Sequence, residues 1–458
     1  MRPQPPDYND ITKDNLMSLQ SKVTDALGRA SFIALDTEFT GLGGKDANTR
    51  APNIEERYVN LCNVVKNHAL VALGLTIYED LSTAQNGSSE SPEKQYKVYN
   101  FNFTLLSQVD HTISPRSLQF LSDTGFDFNK QIRNGIPYIP GNDPLPEESN
   151  IHDTSMRLIF SNILSQKVPV VVHNGLLDLI YLYYSFYADL PQDLNTFTAD
   201  LSEMFSAGLF DTKYVADFVT RENTSFLAYL FRKYEREQVD YRNSGDKNYL
   251  LLRIQEGNFD FTSLEPSKLI LDPTPTTSKR PREDRYCDQY AQHGFCAKRM
   301  KCGFSHDLDL ILDGQAKTTS KRKRKRGKPK KTSNEKLTKV HINERDTIIE
   351  ETQETQEGSN NSNNNLNNQN NHSEYATVAF PPALIPSTKP DQYDNYHSAH
   401  YDAYMTGFIF ACQLLKYSNI TVLNNYKNKL YLMGKNMPLL VEKSEFSNTS
   451  VTHREKSK

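Results

Sequence analysis

Residues 32–43 read FIALDTEFTGLG, an apolar run that ends on two acids, Asp36 and Glu38, separated only by Thr37. Phe32 to Leu35 have the composition of a buried strand, and a strand alternates its faces with period two, so both carboxylates point the same way. Like charges side by side at the rim of a core repel, and partial burial makes the repulsion worse. A divalent cation held between them relieves it. The plain alternative is a pair of acids opening a solvated loop.

Working outward, strand-like runs recur at 70–78 (LVALGLTIY), 96–103 (YKVYNFNF) and 168–173 (VPVVVH). Helical patterns at 114–125, 153–166, 175–187 and 225–237 fall between and after them. Together they predict an α/β fold, a mixed central sheet flanked by helices. Regular structure is expected to fade from about residue 240 into the Pro/Thr connector DPTPTTSKRPRED (272–284) and to return in HSAHYDAYMTGFIFACQLLKY (397–417). Between them lies NNSNNNLNNQNN (360–371), nine of twelve residues Asn, which builds no apolar core, so 312–373 is read as disordered.

Two later segments repeat the motif of an acid set against apolar scaffold. In VPVVVHNGLLDLIYLYYSFYADLP (168–191) a strand turns at His173, Asn174 and Gly175 and places Asp178 on the first turn of a helix. In HSAHYDAYMTG, Asp402 enters an apolar and aromatic helix five residues after His397. Singly, each acid has an ordinary explanation as a helix-start group. Jointly, Asp36, Glu38, Asp178 and Asp402 are the hard oxygen donors that two Mg²⁺ or Mn²⁺ ions want. Such a pair stabilises both the attacking and the leaving oxygen of a phosphodiester displacement, and a histidine such as His397 takes the proton of the attacking water.

Composition bounds the rest. With 458 residues the chain suggests two or three units, and its 37% hydrophobic content fits a partly disordered protein. No apolar run approaches the roughly 18 residues that cross a bilayer, so the protein is expected to be soluble and intracellular, with no membrane partner. The five cysteines are too few and too uneven for a disulfide framework. Net charge is only −3, yet KRKRKRGKPKK (321–331) has nine basic residues in eleven, so the remainder is markedly acidic. This run points to a nuclear import receptor or an RNA backbone; a block of like charge this dense is not expected to form a folded helix face.

Cys287, Cys296, Cys302 and His306 stand in the spacing C-x8-C-x5-C-x3-H, a closed tetrahedral set for one structural Zn²⁺ and the pattern of a CCCH finger. Fingers of this class bind single-stranded RNA through aromatic faces and cations. Tyr286, Tyr290, Phe295 and Phe304 are the stacking candidates, with Tyr290 and Phe304 the preferred pair and Lys298, Arg299 and Lys301 near phosphates; at least one aromatic must pack the finger itself.

FIALDTEFTGLG, HNGLLDLIYLY and HSAHYDAYMTG resemble the three motifs of the DEDDh 3′-to-5′ exonucleases, in the deadenylase branch. SPRSLQFLSDTGFDFNKQIRNGIPY (114–138) and LFDTKYVADF (209–218) also resemble deadenylase segments. With the finger and basic run between the second and third motifs, the chain is most similar to the TOE-type (target-of-EGR) nuclear deadenylases, over about residues 20–310 and 390–450. The resemblance implies an RNase H-like exonuclease fold split into 1–245 and 385–458, an inserted finger at 284–311 and a linker at 312–384. It implies Asp36, Glu38, Asp178 and Asp402 as metal ligands, His397 as general base, and Asp211 as a supporting residue. His400 departs from the pattern, since a smaller residue commonly stands there; it either competes for a proton or faces solvent. The implied activity is removal of 3′ adenosines and short tails from small nuclear and other noncoding RNAs in the nucleus, including Cajal bodies. Homo-oligomerisation stays open. The rival reading is a non-catalytic RNA-binding adaptor that uses the finger.

Overall fold

The structure, a computed structural model, describes residues 7–82, 94–141, 151–254, 285–298, 301–326, 398–416 and 423–457. Ten strands are present among them: β1 (Asn9–Ile11), β2 (Phe32–Phe39), β3 (Leu70–Asp80), β4 (Lys94–Ser107), β5 (Ile136–Tyr138), β6 (Val170–Val172), β7 (Leu209–Asp211), β8 (Leu250–Ile254), β9 (Lys429–Leu430) and β10 (Leu439–Leu440). They form a mixed sheet in the order β1-β4-β3-β2-β6-β7-β9-β10, with β5 and β8 also pairing with the long β4. β2 runs antiparallel to β3 and parallel to β6, so the two acids of β2 sit mid-sheet.

The expected α/β architecture is therefore present, and its two faces bury two cores. Ile33, Leu35, Leu73, Leu75, Phe101 and Phe103 point to one, covered by helices that include Ile151–Ser165 and Leu176–Phe186. Phe32, Ala34, Tyr78, Tyr96 and Val98 point to the other, covered by the helices Leu227–Asn243 and Ala399–Lys416. The last of these is buried along almost its whole length, as its apolar and aromatic composition requires.

Three expectations need correction. Structure does not fade at residue 240, since β8 adds to β4 at 94–98. Residues 312–326 are not irregular but continue the helix Leu308–Arg326. Asp307 caps that helix by accepting from the N–H groups of Asp309 and Leu310, Leu308 and Ile311 are buried, and Lys and Arg are good helix formers. Finally, the finger shares one compact unit, residues 1–317 and 392–458, with the sheet and its helices. A second unit covers 318–391, of which 318–326 are described and are helical; the asparagine tract lies outside the described residues.

Candidate active site and metal centres

The alternation of β2 sorts its end residues between the two cores. Asp36 and Glu38 follow Phe32 and Ala34 to the face of the Ala399–Lys416 helix, whereas Thr37 follows Ile33 and Leu35 to the face of the Leu176–Phe186 helix. Each of those helices carries an acid in its first turn, Asp402 and Asp178, where the helix dipole favours a carboxylate. The two helices thus deliver their acids to the end of β2 from opposite sides of the sheet.

Close approach on the Asp402 side depends on Gly74, the residue of β3 paired with Asp36. A Cβ there would stand 1.9 Å from the carbonyl oxygen of Ala399. Further along, Tyr78 Oη donates to the Tyr404 carbonyl (2.9 Å), and Gly407 leaves room for the Tyr78 ring. One carboxylate oxygen each from Asp36, Glu38 and Asp402 consequently lies within 4.8 Å of the others. Asp178 stands beside this trio rather than within it: the Thr37 hydroxyl donates to its Oδ1 at 2.5 Å.

Each acid keeps an edge to solvent but is walled by protein, and the titration behaviour follows. Burial, then the charges of Asp402, Asp178 and Glu38, holds the Asp36 carboxyl well above its usual range. Burial and Asp178 push Glu38 up to about 8. Burial raises Asp178 to about 6, against the hydrogen bond from Thr37, which lowers it. Asp402 is held well above its usual range by burial and by Glu38 and Asp178. Four carboxyls that resist ionising together, with only oxygen donors, fit hard divalent cations of the Mg²⁺ or Mn²⁺ kind.

Asp211 supports this arrangement from below. Its Oδ1 accepts from the backbone N–H groups of Asn174, Lys213 and Tyr214, and its Oδ2 from Tyr431, so one fully buried carboxylate ties the turn before the Asp178 helix to β7 and β9. Asn174 takes the left-handed conformation at φ 59°, which Asn tolerates. His397 and Arg299 lie outside the described residues. His400 does not face solvent: it is buried and stacked on Tyr8.

Cys287, Cys296, Cys302 and His306 converge, with ligand atoms within 4.8 Å of one another. The backbone N–H of Phe304 lowers the Cys302 thiol, the direction that favours the thiolate, while burial raises Cys296. Three sulfurs and one imidazole at this separation fit a structural Zn²⁺. Tyr290 stacks on His306 with centroids 4.4 Å apart and meets Phe226 edge-on, so it packs the finger and is not an open stacking face. Of the other aromatic candidates, Phe304 and Phe295 are both exposed. Lys298 is exposed.

A model described as CAF1 family ribonuclease matches residues 11–155 and 145–410. The chain belongs to the CAF1 ribonuclease family. Its mixed sheet with helices on both faces is the RNase H-like fold of that family, into which the cysteine cluster is inserted. Among curated relatives, the poly(A)-specific ribonuclease PARN of Xenopus laevis is 32% identical over 142 residues, 28% of this chain and 21% of that protein. The pre-piRNA 3′-exonuclease trimmer of Bombyx mori is 23% identical over 214 residues, 45% of this chain and 34% of that protein. This CAF1-family chain thus spans about a fifth of the length of the first relative and about a third of the second. The structure of S. pombe Pop2p with Mg²⁺ and Mn²⁺ bound is similar at TM-score 0.38 and 18% identity, covering 49% of this chain and 81% of Pop2p.

The acids are legible in the sequence, whereas the roles of Thr37 and Gly74 emerge from the fold. Thr37 carries no signal of its own. Gly74, alone inside an otherwise β-branched and apolar strand, does mark a close backbone approach.

Proposed function

We propose that the protein is a metal-dependent 3′-to-5′ exoribonuclease that removes 3′ adenosines and short tails from RNA. The observation that supports it most is the meeting of Asp36, Glu38 and Asp402 from segments more than 360 residues apart, with Asp178 alongside. Asp36, Glu38, Asp178 and Asp402 would hold two Mg²⁺ or Mn²⁺ ions, which when bound stabilise charge on the attacking and leaving oxygens. His397 is assigned as the general base that takes the proton of the attacking water. Thr37 orients Asp178, Asp211 fixes the turn that leads to it, and Gly74 sets the height of Asp402 over the sheet.

The finer reading is a TOE-type nuclear deadenylase acting on small nuclear and other noncoding RNAs, in the nucleoplasm and Cajal bodies. It is supported by the inserted C-x8-C-x5-C-x3-H cluster and the basic run at 321–331, which would serve an import receptor. Purified protein with Mg²⁺ and a 5′-labelled RNA ending in adenosines should yield a ladder shortened one nucleotide at a time. Asp36→Asn, Asp402→Asn and His397→Asn should each abolish the ladder without altering the circular dichroism spectrum. Wild-type rates in either aspartate variant would remove the catalytic assignment.

A further inference from the structure

One aromatic pair close to the acids is used neither by the proposed chemistry nor by the core. Tyr8, just before β1, lies face to face on His400, with ring centroids 3.6 Å apart and planes inclined by 21°. His400 is 7% exposed, and its Nδ1 has no hydrogen-bond partner, so its ring acts here as a backing plate. Tyr8 remains 39% exposed. A part-exposed aromatic ring is therefore stacked on a buried one.

Register places this ring relative to the acids. Asp36 pairs with Gly74, Gly74 with Asn102 and Asn102 with Asp10, a row across β2, β3, β4 and β1. Three strand spacings separate Asp10 from Asp36, and Tyr8 lies two residues before Asp10, so its backbone stands about 16 Å from that of Asp36. It lies on the side of the Asp402 helix, because His400 belongs to that helix. Asn102 Nδ2 donates to Asp10 Oδ1 at 2.9 Å, and Lys130 pairs with the same carboxylate, two residues along the chain from Tyr8 and near enough to His400 for its charge to be felt there.

An aromatic face open to solvent, with a cation nearby, is what unpaired bases stack on. Resting on the ribonuclease reading above, we propose that Tyr8, braced by His400, is a base-stacking subsite for RNA upstream of its terminal nucleotide. At about 3.4 Å per stacked nucleotide the ring takes a base up to about four positions from the 3′ end. The subsite therefore distinguishes oligonucleotides by length: a dinucleotide engaged at the acids does not reach it, whereas an octamer does.

The test uses the full chain, oligoadenylates of two to eight nucleotides, and octamers carrying 2-aminopurine at each upstream position in turn, with Ca²⁺ replacing Mg²⁺ for binding. The wild type should quench 2-aminopurine at one upstream position. Tyr8→Ala should lose that quenching and bind the octamer about tenfold more weakly, with dinucleotide turnover unchanged, and Tyr8→Phe should behave as wild type. Wild-type octamer affinity in Tyr8→Ala overturns the proposal. An equal loss on dinucleotide and octamer also overturns it, since Tyr8 would then be supporting the Asp402 helix. Wild-type turnover of the octamer, measured separately, tests the ribonuclease reading on its own.

Discussion

Glu38 sets the behaviour of the acid cluster because its proton is held up to about 8, through burial and then Asp178, well above an unfolded glutamate. In metal-free protein between about pH 4.5 and 8 the folded state therefore binds more protons at this position than the unfolded chain does. Stability contributed by the group is full below the unfolded value and falls as pH rises through the folded one. Chelated protein should accordingly melt at a lower temperature at pH 8 than at pH 6, and Glu38→Gln should flatten that dependence. Cations displace these protons, so the rise in melting temperature on adding Mg²⁺ should be larger at pH 8. Differential scanning calorimetry at the two pH values, with and without Mg²⁺, reads both effects; a pH-independent Mg²⁺ response would show that the acids do not titrate as a cluster. Thr37 gives a second test. Its 2.5 Å hydrogen bond orients Asp178 from the opposite face of β2. Thr37→Val preserves shape and should weaken the Mg²⁺ dependence of turnover by about 10-fold to 100-fold while leaving the melting temperature within a few degrees.

At the scale of elements, the site depends on how far one helix sinks onto two strands. The Ala399–Lys416 helix presses its first carbonyl against the space where a Gly74 side chain would stand. Gly74→Ala must lift that end, because the obstacle is backbone rather than a flexible side chain. A destabilisation of about 1–3 kcal/mol is expected, with loss of the Mg²⁺-dependent thermal shift and of activity out of proportion to it. Retention of both would place the Asp402 carboxylate elsewhere. The strands and helices that frame this contact were legible in the sequence because β2, β3 and the Ala399–Lys416 helix bury nearly every apolar residue they contain. β8 was not legible: LLLRI is short and follows a polar stretch, and it becomes a strand only by pairing with β4, about 150 residues earlier. The packing role of Tyr290 is not legible for a similar reason, since Phe226, which it meets edge-on, comes from a part of the chain about 60 residues earlier.

For the whole molecule, the unexpected result is that the finger is bolted to the nuclease core rather than tethered to it. Ala291, Leu308 and Ile311 join the core under the Ala399–Lys416 helix, and Thr224 Oγ1 donates to the Ala291 carbonyl at 3.0 Å. Arg232, itself nearly buried, meets Asp309 through two bonds of 2.9 Å, and Arg236 reaches Asp313 at 2.6 Å. Removing residues 280–372 takes away all of these partners, together with the Gln315 side chain to which Tyr229 Oη donates at 2.6 Å. Asp309 is itself half-exposed and Arg232 keeps the nearly buried Glu235 at 3.1 Å, so the ion pairs contribute modestly and the burial of Ala291, Leu308 and Ile311 carries most of the loss. Deletion of 285–326 should therefore lower the melting temperature of the nuclease by several degrees or abolish folding. Deletion of 327–390 removes none of the described contacts and should leave melting and turnover of a 3′-adenosine tail unchanged. Zinc chelation separates packing from sequence loss: Cys296→Ser, or a chelator selective for Zn²⁺ over Mg²⁺, should shift the whole nuclease transition downward in a single step. Two independent transitions, with the larger one unmoved by zinc, would mean that the finger folds alone and that its contacts with Phe226, Tyr229 and Arg232 contribute nothing measurable.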